Sequence, residues 1–193
     1  MTTDRVLTVP NVISFVRLAC IPLFLWLLFG VEDRAGAAWL LAALGASDWV
    51  DGYVARHFHQ VSELGKVLDP TADRLILIVG VGGIIIDGSA PTWLSVAVVV
   101  REVIVGGALV ILTLMGMKRF DVALVGKAAT FALLIAFPLF LLAAAHNSAH
   151  TVALVFAYLF AVPGLALSYY SALTYIPIMR RNLALGRAER SQQ

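Results

Sequence analysis

Four aspartates in the first half of the chain have types and spacing suited to binding metal ions: Asp48, Asp51, Asp69 and Asp73. Residues three or four apart share one face of a helix, so the four form two pairs of neighbouring carboxylates. A polar segment, residues 57–63, lies midway between the pairs. If the flanking helices run antiparallel, Asp51 and Asp69 fall at similar depth in the hairpin. Asp48 and Asp73 match one turn deeper, so the spacing predicts a hairpin on which two pairs of acids face each other.

Four carboxylates this close repel one another and take up protons unless a cation lies between them. Carboxylate oxygens suit Mg²⁺, Mn²⁺ or Ca²⁺, and the sequence has no cluster of Cys or His that would favour Zn²⁺. Two such ions bridged by shared carboxylates form a clamp that is used in phosphoryl displacement. Small residues leave room for a substrate at Gly52, Ala55 and Gly65, and the Arg56 guanidinium suits a phosphate. The alternative is that the acids are solvated at helix ends or form a polar seam between packed helices.

The same residues form the pattern D-x2-D-G-x2-A-R-x8-G-x3-D-x3-D, which resembles the signature of the CDP-alcohol phosphatidyltransferases at every fixed position. Enzymes of that family are integral membrane proteins that transfer a phosphatidyl group from a CDP-linked lipid to an alcohol and release CMP. The resemblance implies that Asp48, Asp51 and Asp69 bind two divalent ions, Mg²⁺ or Mn²⁺. It implies that Asp73 both binds metal and acts as the catalytic base on the acceptor hydroxyl. The implied residues of the cytidine diphosphate pocket are Asp48, Gly52, Ala55, Arg56 and Gly65.

The composition is that of a membrane protein. Of 193 residues, 61% are hydrophobic and 13% are charged, whereas soluble proteins carry about 25% charged residues. Apolar runs near the length of a membrane span recur along the chain, and six spans are predicted at about residues 11–30, 37–57, 64–86, 91–115, 122–145 and 151–178. The sequence therefore predicts one all-α membrane domain, residues 1–193, with a six-helix bundle, a polar cavity open to the cytoplasm and a short basic tail from about residue 180. The net charge of +2 gives no support for a nucleic-acid partner.

The distribution of Lys and Arg predicts the orientation in the membrane, since cytoplasmic connections carry an excess of both. The connections predicted on one side of the membrane contain one basic residue, Arg34. The termini and connections predicted on the other side contain seven: Arg5, Lys118, Arg119, Arg180, Arg181, Arg187 and Arg190. We therefore expect a multi-pass protein of the plasma (inner) membrane with both termini in the cytoplasm and the acidic cluster near the cytoplasmic face.

Four further polar residues are candidates for substrate contacts. Asn11 either caps the first helix or touches the diphosphate, as the Pro-Asn of similar family members suggests. Arg17 either extends to the interface or binds a substrate phosphate, and we favour the second. Arg101 is not expected to pair with Glu102, because sequence neighbours do not face each other on a helix, so we expect it to project into the polar cavity. Lys127 indicates a bound anion, with extension to the cytoplasmic edge as the alternative.

The chain resembles the glycerol-acceptor branch of the family, and one position of the sequence indicates which acceptor of that branch it uses. Relatives that use glycerol-3-phosphate carry a fifth-helix Gly-Lys-x-Lys-Thr, and this chain has Ala129 in place of the second Lys. Two cations suit a phosphomonoester, whereas Lys127 alone suits a phosphodiester with one charge. We therefore expect transfer from CDP-diacylglycerol to phosphatidylglycerol, with Arg17, Arg101 and Lys127 on the acceptor. Glycerol-3-phosphate is the alternative acceptor.

Two questions stay open at the level of sequence. Glycines at 80, 82, 83, 106 and 107 allow close helix approach, either in a homodimer, which we expect, or within one chain. An ion-coupled membrane transporter would also account for the acids. It would leave Arg56 and the matched glycines Gly52 and Gly65 without a role.

Overall fold

The computed structural model describes residues 9–58, 63–115, 124–145 and 148–190. Side chains are described over narrower ranges, residues 15–47, 75–112, 115, 124–145, 148–179 and 181–183. Every regular element in these ranges is helical. The elements are α1 (Val9–Leu25), a π-helical turn (Trp26–Gly30), α2 (Arg34–Phe58), α3 (Glu63–Asp87), α4 (Thr92–Leu114), α5 (Leu124–Ala144) and α6 (His150–Arg190).

The prediction of an all-α membrane protein is confirmed. Three of the described helices are long and apolar enough to cross a bilayer, at Thr92–Leu112, Leu124–Ala144 and His150–Leu183. Two shorter apolar helical segments are Phe15–Gly30, in α1 and the π-helical turn after it, and Leu75–Asp87, in α3. The six predicted spans correspond to the six described α-helices within a few residues, except that α6 continues to Arg190. That all six cross the membrane around a cytoplasmic cavity stays a prediction, as does a single domain.

Local chemistry determines where the described helices begin and end. Asp33 caps α2, because its carboxylate accepts a hydrogen bond of 2.8 Å from the Gly36 N–H. Gly88 follows α3 with a φ of 73°, and its N–H donates to the Ile84 carbonyl at 3.0 Å, which is the αL termination that glycine favours. α1 begins at Val9, so Asn11 lies inside its first turn rather than at a cap position, and its contact with the diphosphate stays a prediction.

The described chain forms two compact units. The first contains Met1–Pro91 and Phe137–Ala157. In it α1 packs against α2 and α3, with Phe24, Leu28 and Ile84 fully buried. Gly83 allows this packing, since a Cβ there would lie 3.2 Å from the Phe24 ring and 3.3 Å from Leu28.

The second unit contains Thr92–Ala136 and Tyr158–Gln193. Tyr175 and Met179 of α6 form a buried cluster against apolar residues of α4 and one further residue of α6: Val105, Leu109, Leu112 and Leu183. Gly164 of α6 lies against α5, where a Cβ would be 3.0 Å from the Ala132 Cβ. Both of these contacts are apolar, and a hydrogen bond of 2.9 Å from the Tyr169 hydroxyl to the Ala97 carbonyl joins α6 to α4 as well.

Large apolar side chains cover the outer surface of the described helices. Ile78, Val103 and Leu159 are each about 60% exposed or more, and Trp26 and Trp39, on either side of the connection between α1 and α2, are 58% and 68% exposed. Water would disfavour so much apolar surface. Lipid does not, and Trp is enriched at the membrane interface, so this surface agrees with a membrane protein.

Candidate functional site

Most of the predicted site residues lie on α1, α2 and α3 of the first unit, whereas Arg101 and Lys127 belong to α4 and α5 in the second. Asp48 and Asp51 belong to α2, and Asp69 and Asp73 belong to α3, with residues 59–62 between the two helices. The side chains of all four aspartates lie outside the described ones. The same holds for the predicted pocket residues on α1, α2 and α3: Asn11, Gly52, Ala55, Arg56 and Gly65.

An ion pair joins the far ends of α2 and α3. Arg34 is the first residue of α2 and Asp87 is the last of α3. The Arg34 Nε donates to Asp87 Oδ2 and the Nη2 donates to Asp87 Oδ1, each at 2.9 Å. The Ser89 hydroxyl also donates to the Asp87 carboxylate. The two parallel bonds fix the distance and the orientation of the two helix ends.

The Asp87 carboxylate keeps its charge although its side chain is almost buried. Only 5% of the Asp87 side chain is exposed. Burial alone would raise the pKa of Asp87, but the hydrogen bonds from Arg34 and Ser89 and the Arg34 charge outweigh it, so the pKa is lowered. The hydrogen bond to Asp87 raises the pKa of Arg34 against the effect of its burial. Both groups are therefore held in their charged forms at neutral pH.

A second contact fixes the register of the two helices. A Cβ on Gly80 would lie 3.2 Å from the Leu41 Cδ1, so α2 and α3 approach closely at this level. Leu41 is seven residues after Arg34, and Gly80 is seven residues before Asp87. Seven residues are close to two helical turns, so each step keeps the same helix face. The two described contacts therefore agree on one antiparallel register.

The same register, extended by another seven residues along each helix, reaches Asp48 and Asp73. Both helices continue through these positions. Asp51 falls opposite position 70, one residue from Asp69. This register agrees with the hairpin spacing of the sequence, and the meeting of the four carboxylates stays a prediction.

Arg17 lies in the interior of the first unit. It is 2% exposed, and its Nε donates to the Ser47 hydroxyl at 2.9 Å. This burial does not agree with extension to the interface, because a side chain that reached the headgroups would be exposed. Ser47 directly precedes Asp48, so the Arg17 guanidinium lies beside the start of the acidic motif. Its contact with a substrate phosphate stays a prediction.

Arg101 of α4 is buried in the second unit, where it is 8% exposed. It forms an ion pair with Glu102, and its Nε donates to the Ser168 carbonyl of α6 at 3.4 Å. The expectation that Arg101 and Glu102 would not pair is wrong. The long, flexible side chains meet although their Cβ atoms diverge. A charge buried among apolar helices needs such partners, and its role toward a substrate stays a prediction.

Lys127 and Ala129 occupy different faces of α5. Lys127 is exposed, and Ala129 is fully buried. A Cβ on Gly164 of α6 would lie 3.4 Å from the Ala129 carbonyl oxygen. A second Lys at position 129 would therefore not fit this packing of α5 against α6, which gives the alanine a structural reason that the sequence does not show.

The side chains that the structure describes contain no group of three or more His, Cys, Asp or Glu that could hold a metal ion. The predicted metal ligands are outside that set. Sequence reasoning missed the Arg34–Asp87 pair and the Ser47 partner of Arg17. The equal spacing of fourteen residues from Arg34 to Asp48 and from Asp73 to Asp87 is a signal that could have indicated the pair.

Comparison with known proteins agrees with the motif. The family model for CDP-alcohol phosphatidyltransferases matches residues 7–163. A protein of Streptomyces coelicolor named cardiolipin synthase (CMP-forming) is 41% identical over 184 residues, which cover 93% of this chain and 86% of the relative. A putative cardiolipin synthase of Mycobacterium tuberculosis is 38% identical over 142 residues, covering 74% and 68%.

A third relative carries a different acceptor in its name. The CDP-diacylglycerol–glycerol-3-phosphate 3-phosphatidyltransferase of Bacillus subtilis is 32% identical over 153 residues, covering 72% of this chain and 77% of the relative. The family model spans most of the chain, and the matched regions also span most of the length of each relative. This chain therefore belongs to the CDP-alcohol phosphatidyltransferase family and is a phosphatidyltransferase.

Proposed function

We propose that this enzyme is a cardiolipin synthase, which transfers the phosphatidyl group of CDP-diacylglycerol to phosphatidylglycerol and releases CMP. The observation that carries the proposal is the 41% identity over 93% of the chain with a relative named cardiolipin synthase (CMP-forming). The complete aspartate motif supports the transfer chemistry itself.

Two divalent ions, Mg²⁺ or Mn²⁺, fit the donor set that the motif offers. Asp48, Asp51, Asp69 and Asp73 supply carboxylate oxygens, which these ions prefer. The register between Arg34–Asp87 and Leu41–Gly80 supports their meeting between α2 and α3. When bound, the ions supply neutralisation of the diphosphate charge and of the leaving CMP.

Asp73 is the proposed base. It takes the proton from the free hydroxyl of the acceptor's glycerol headgroup, and the resulting oxygen attacks the phosphorus that bears the diacylglycerol. A new P–O bond to the acceptor forms as the P–O bond to CMP breaks. The proton stays on Asp73 until it leaves to solvent, so the step is balanced without a further reactant.

The remaining site residues bind the two substrates in this proposal. Arg56 and Asn11 contact the diphosphate of the donor, and Gly52, Ala55 and Gly65 leave room for its cytidine.

The acceptor's phosphate is held by three cationic side chains in this proposal: Arg17, Arg101 and Lys127. The burial of Arg17 supports its part in this role, because a guanidinium in a medium of low polarity binds an anion more strongly than one in water.

We further propose that the enzyme is a multi-pass, homodimeric protein of the plasma membrane with both termini in the cytoplasm. The excess of Lys and Arg in the predicted cytoplasmic connections supports this orientation. The acidic motif then lies near the cytoplasmic leaflet, where CDP-diacylglycerol presents its soluble headgroup and CMP can leave.

Purified enzyme with labelled CDP-diacylglycerol and Mn²⁺ tests the proposal. We expect CMP release that depends on phosphatidylglycerol, with cardiolipin as the lipid product. CMP release that requires glycerol-3-phosphate, with no response to phosphatidylglycerol, would contradict it and favour the second candidate. The similarity to the Bacillus subtilis relative is the specific observation behind that candidate.

A further inference from the structure

We propose that the Arg34–Asp87 pair positions the metal-binding aspartates by fixing the register of α2 and α3 from the opposite end of the hairpin. This inference rests on the proposed function, because it concerns the same acids. Neither residue belongs to the family motif, and fourteen residues separate each from the nearest aspartate on its own helix. At about 1.5 Å per residue this is about 21 Å, so the pair acts without touching a substrate.

The geometry of the Arg34–Asp87 contact fixes how the ends of α2 and α3 are placed relative to each other. A bidentate contact between a guanidinium and a carboxylate defines both a distance and an angle, and here both bonds are 2.9 Å. It joins two residues that belong to the helices themselves rather than to flexible loops. The Asp33 cap of α2 and the Gly88 termination of α3 fix the same helix ends.

The contact in the middle of the hairpin limits the distance between α2 and α3 but does not prevent one helix from sliding along the other. The contact of Leu41 with Gly80 is apolar, and a glycine surface has no side chain to resist sliding. A shift by one residue would move a helix by about 1.5 Å and turn its face by about 100°. The directional bonds of Arg34 and Asp87 oppose such a shift because they would break.

A metal site depends strongly on this register. Carboxylate oxygens bind these ions within a narrow range of distances, and a misplacement of about 1 Å by a change far from the chemistry can reduce activity about 100-fold. The charged pair need not add much stability to serve this use, since the desolvation of a partly buried ion pair offsets much of its attraction. Arg34 and Asp87 are therefore positioning residues for the proposed reaction.

The first measurement is Mn²⁺ binding to the purified full-length enzyme by electron paramagnetic resonance, with no substrate present. We expect Arg34→Gln and Asp87→Asn each to weaken Mn²⁺ binding about tenfold. The reversed pair, Arg34→Asp with Asp87→Arg, should regain most of the affinity. Glu32→Gln removes a charge from the same connection but leaves both hydrogen bonds between Arg34 and Asp87 in place, so it is the matched control, with unchanged affinity. Wild-type affinity in both folded single variants would overturn the proposal.

The second measurement reports the register without metal or activity. In a Cys20→Ala background, Asp48→Cys with Asp73→Cys gives one thiol on each helix, and a short thiol-reactive cross-linker joins them if they face each other. We expect efficient cross-linking with the native pair and a loss of several-fold when Arg34→Gln is added. Equal yields in the two proteins would overturn the positioning role. Efficient cross-linking in a protein whose native form binds no Mn²⁺ would contradict the proposed function instead and leave the register intact.

Discussion

The two ends of the α2–α3 hairpin differ in how their charges are balanced. At one end Arg34 and Asp87 neutralise each other through two hydrogen bonds of 2.9 Å. At the other end four aspartates are predicted to face one another across the hairpin, in a stretch that also contains Arg56, Lys66 and Arg74. A paired acid stabilises the fold, whereas carboxylates that face one another are stable only if a cation lies between them. The difference indicates which end is structural and which end binds ligands.

The acid-rich end should give the largest effect. Asp73→Asn keeps the size of the side chain but removes the proposed base, so we expect kcat to fall about 10³-fold, within the range for loss of a general base. Binding of labelled CDP-diacylglycerol should change little. Activity near the wild-type level would show that Asp73 is not the base, and loss of donor binding as well would indicate a purely metal-binding or structural role.

Arg101 tests whether a buried cation outside the hairpin serves the substrate or only the fold. We expect Arg101→Gln to reduce kcat/KM for phosphatidylglycerol about tenfold or more, mainly through KM, since a hydrogen bond to a charged group contributes about 1.5–3 kcal/mol. Glu102→Gln removes the partner and leaves the guanidinium, so it is the control. Equal losses in both variants, with unchanged KM, would mean that the pair is structural.

The middle of the hairpin should respond to added volume. Gly80→Val introduces side-chain atoms where Leu41 already lies 3.2 Å from a Cβ position, and we expect a loss of about 1–3 kcal/mol in stability from overpacking. Gly82→Val on the same helix is the matched control, because nothing lies within 4 Å of a Cβ there. Thermal unfolding in detergent compares the two, and equal midpoints would contradict close approach of α2 and α3.

The balanced end should show the smallest effect, through pH. The pKa of Asp87 is lowered in the folded protein, so its stabilising contribution is present above the unfolded pKa of about 3.9 and is lost as pH falls through the folded value. We expect Asp87→Asn to cost about 1 kcal/mol near neutral pH. The difference from wild type should shrink below about pH 4. A difference that stays constant down to pH 3 would contradict the charge pairing.

Helix positions could be predicted from the sequence because they depend on local pattern. The apolar runs gave the bounds of α2 through α5 within three residues. The end of α6 was not predicted, because a helix that leaves the apolar layer has no hydropathy signal, and residues 180–190 are rich in charge. Of the two roles considered for Asn11, the cap does not agree with the start of α1 at Val9, since Pro10 is equally compatible with a helix that begins one residue earlier.

Tertiary contacts could not be predicted in the same way. Arg34 and Asp87 are 53 residues apart, and only the packed hairpin brings them together. The ion pair of Arg101 with Glu102 depends on side-chain conformation rather than on helix geometry. The motif aspartates were recognisable because residue type, spacing and cost of burial all indicate the same chemistry. Their matched depths in the hairpin were predicted from spacing, and the described contacts of Gly80 and Asp87 agree with that register.

Anomalous diffraction from crystals of the enzyme grown with Mn²⁺ tests the central claim most directly. The account predicts two Mn²⁺ ions between α2 and α3, each within bonding distance of carboxylates from both helices, among Asp48, Asp51, Asp69 and Asp73. A well-ordered hairpin whose four aspartates point to different surfaces, with no Mn²⁺ between them, would contradict it.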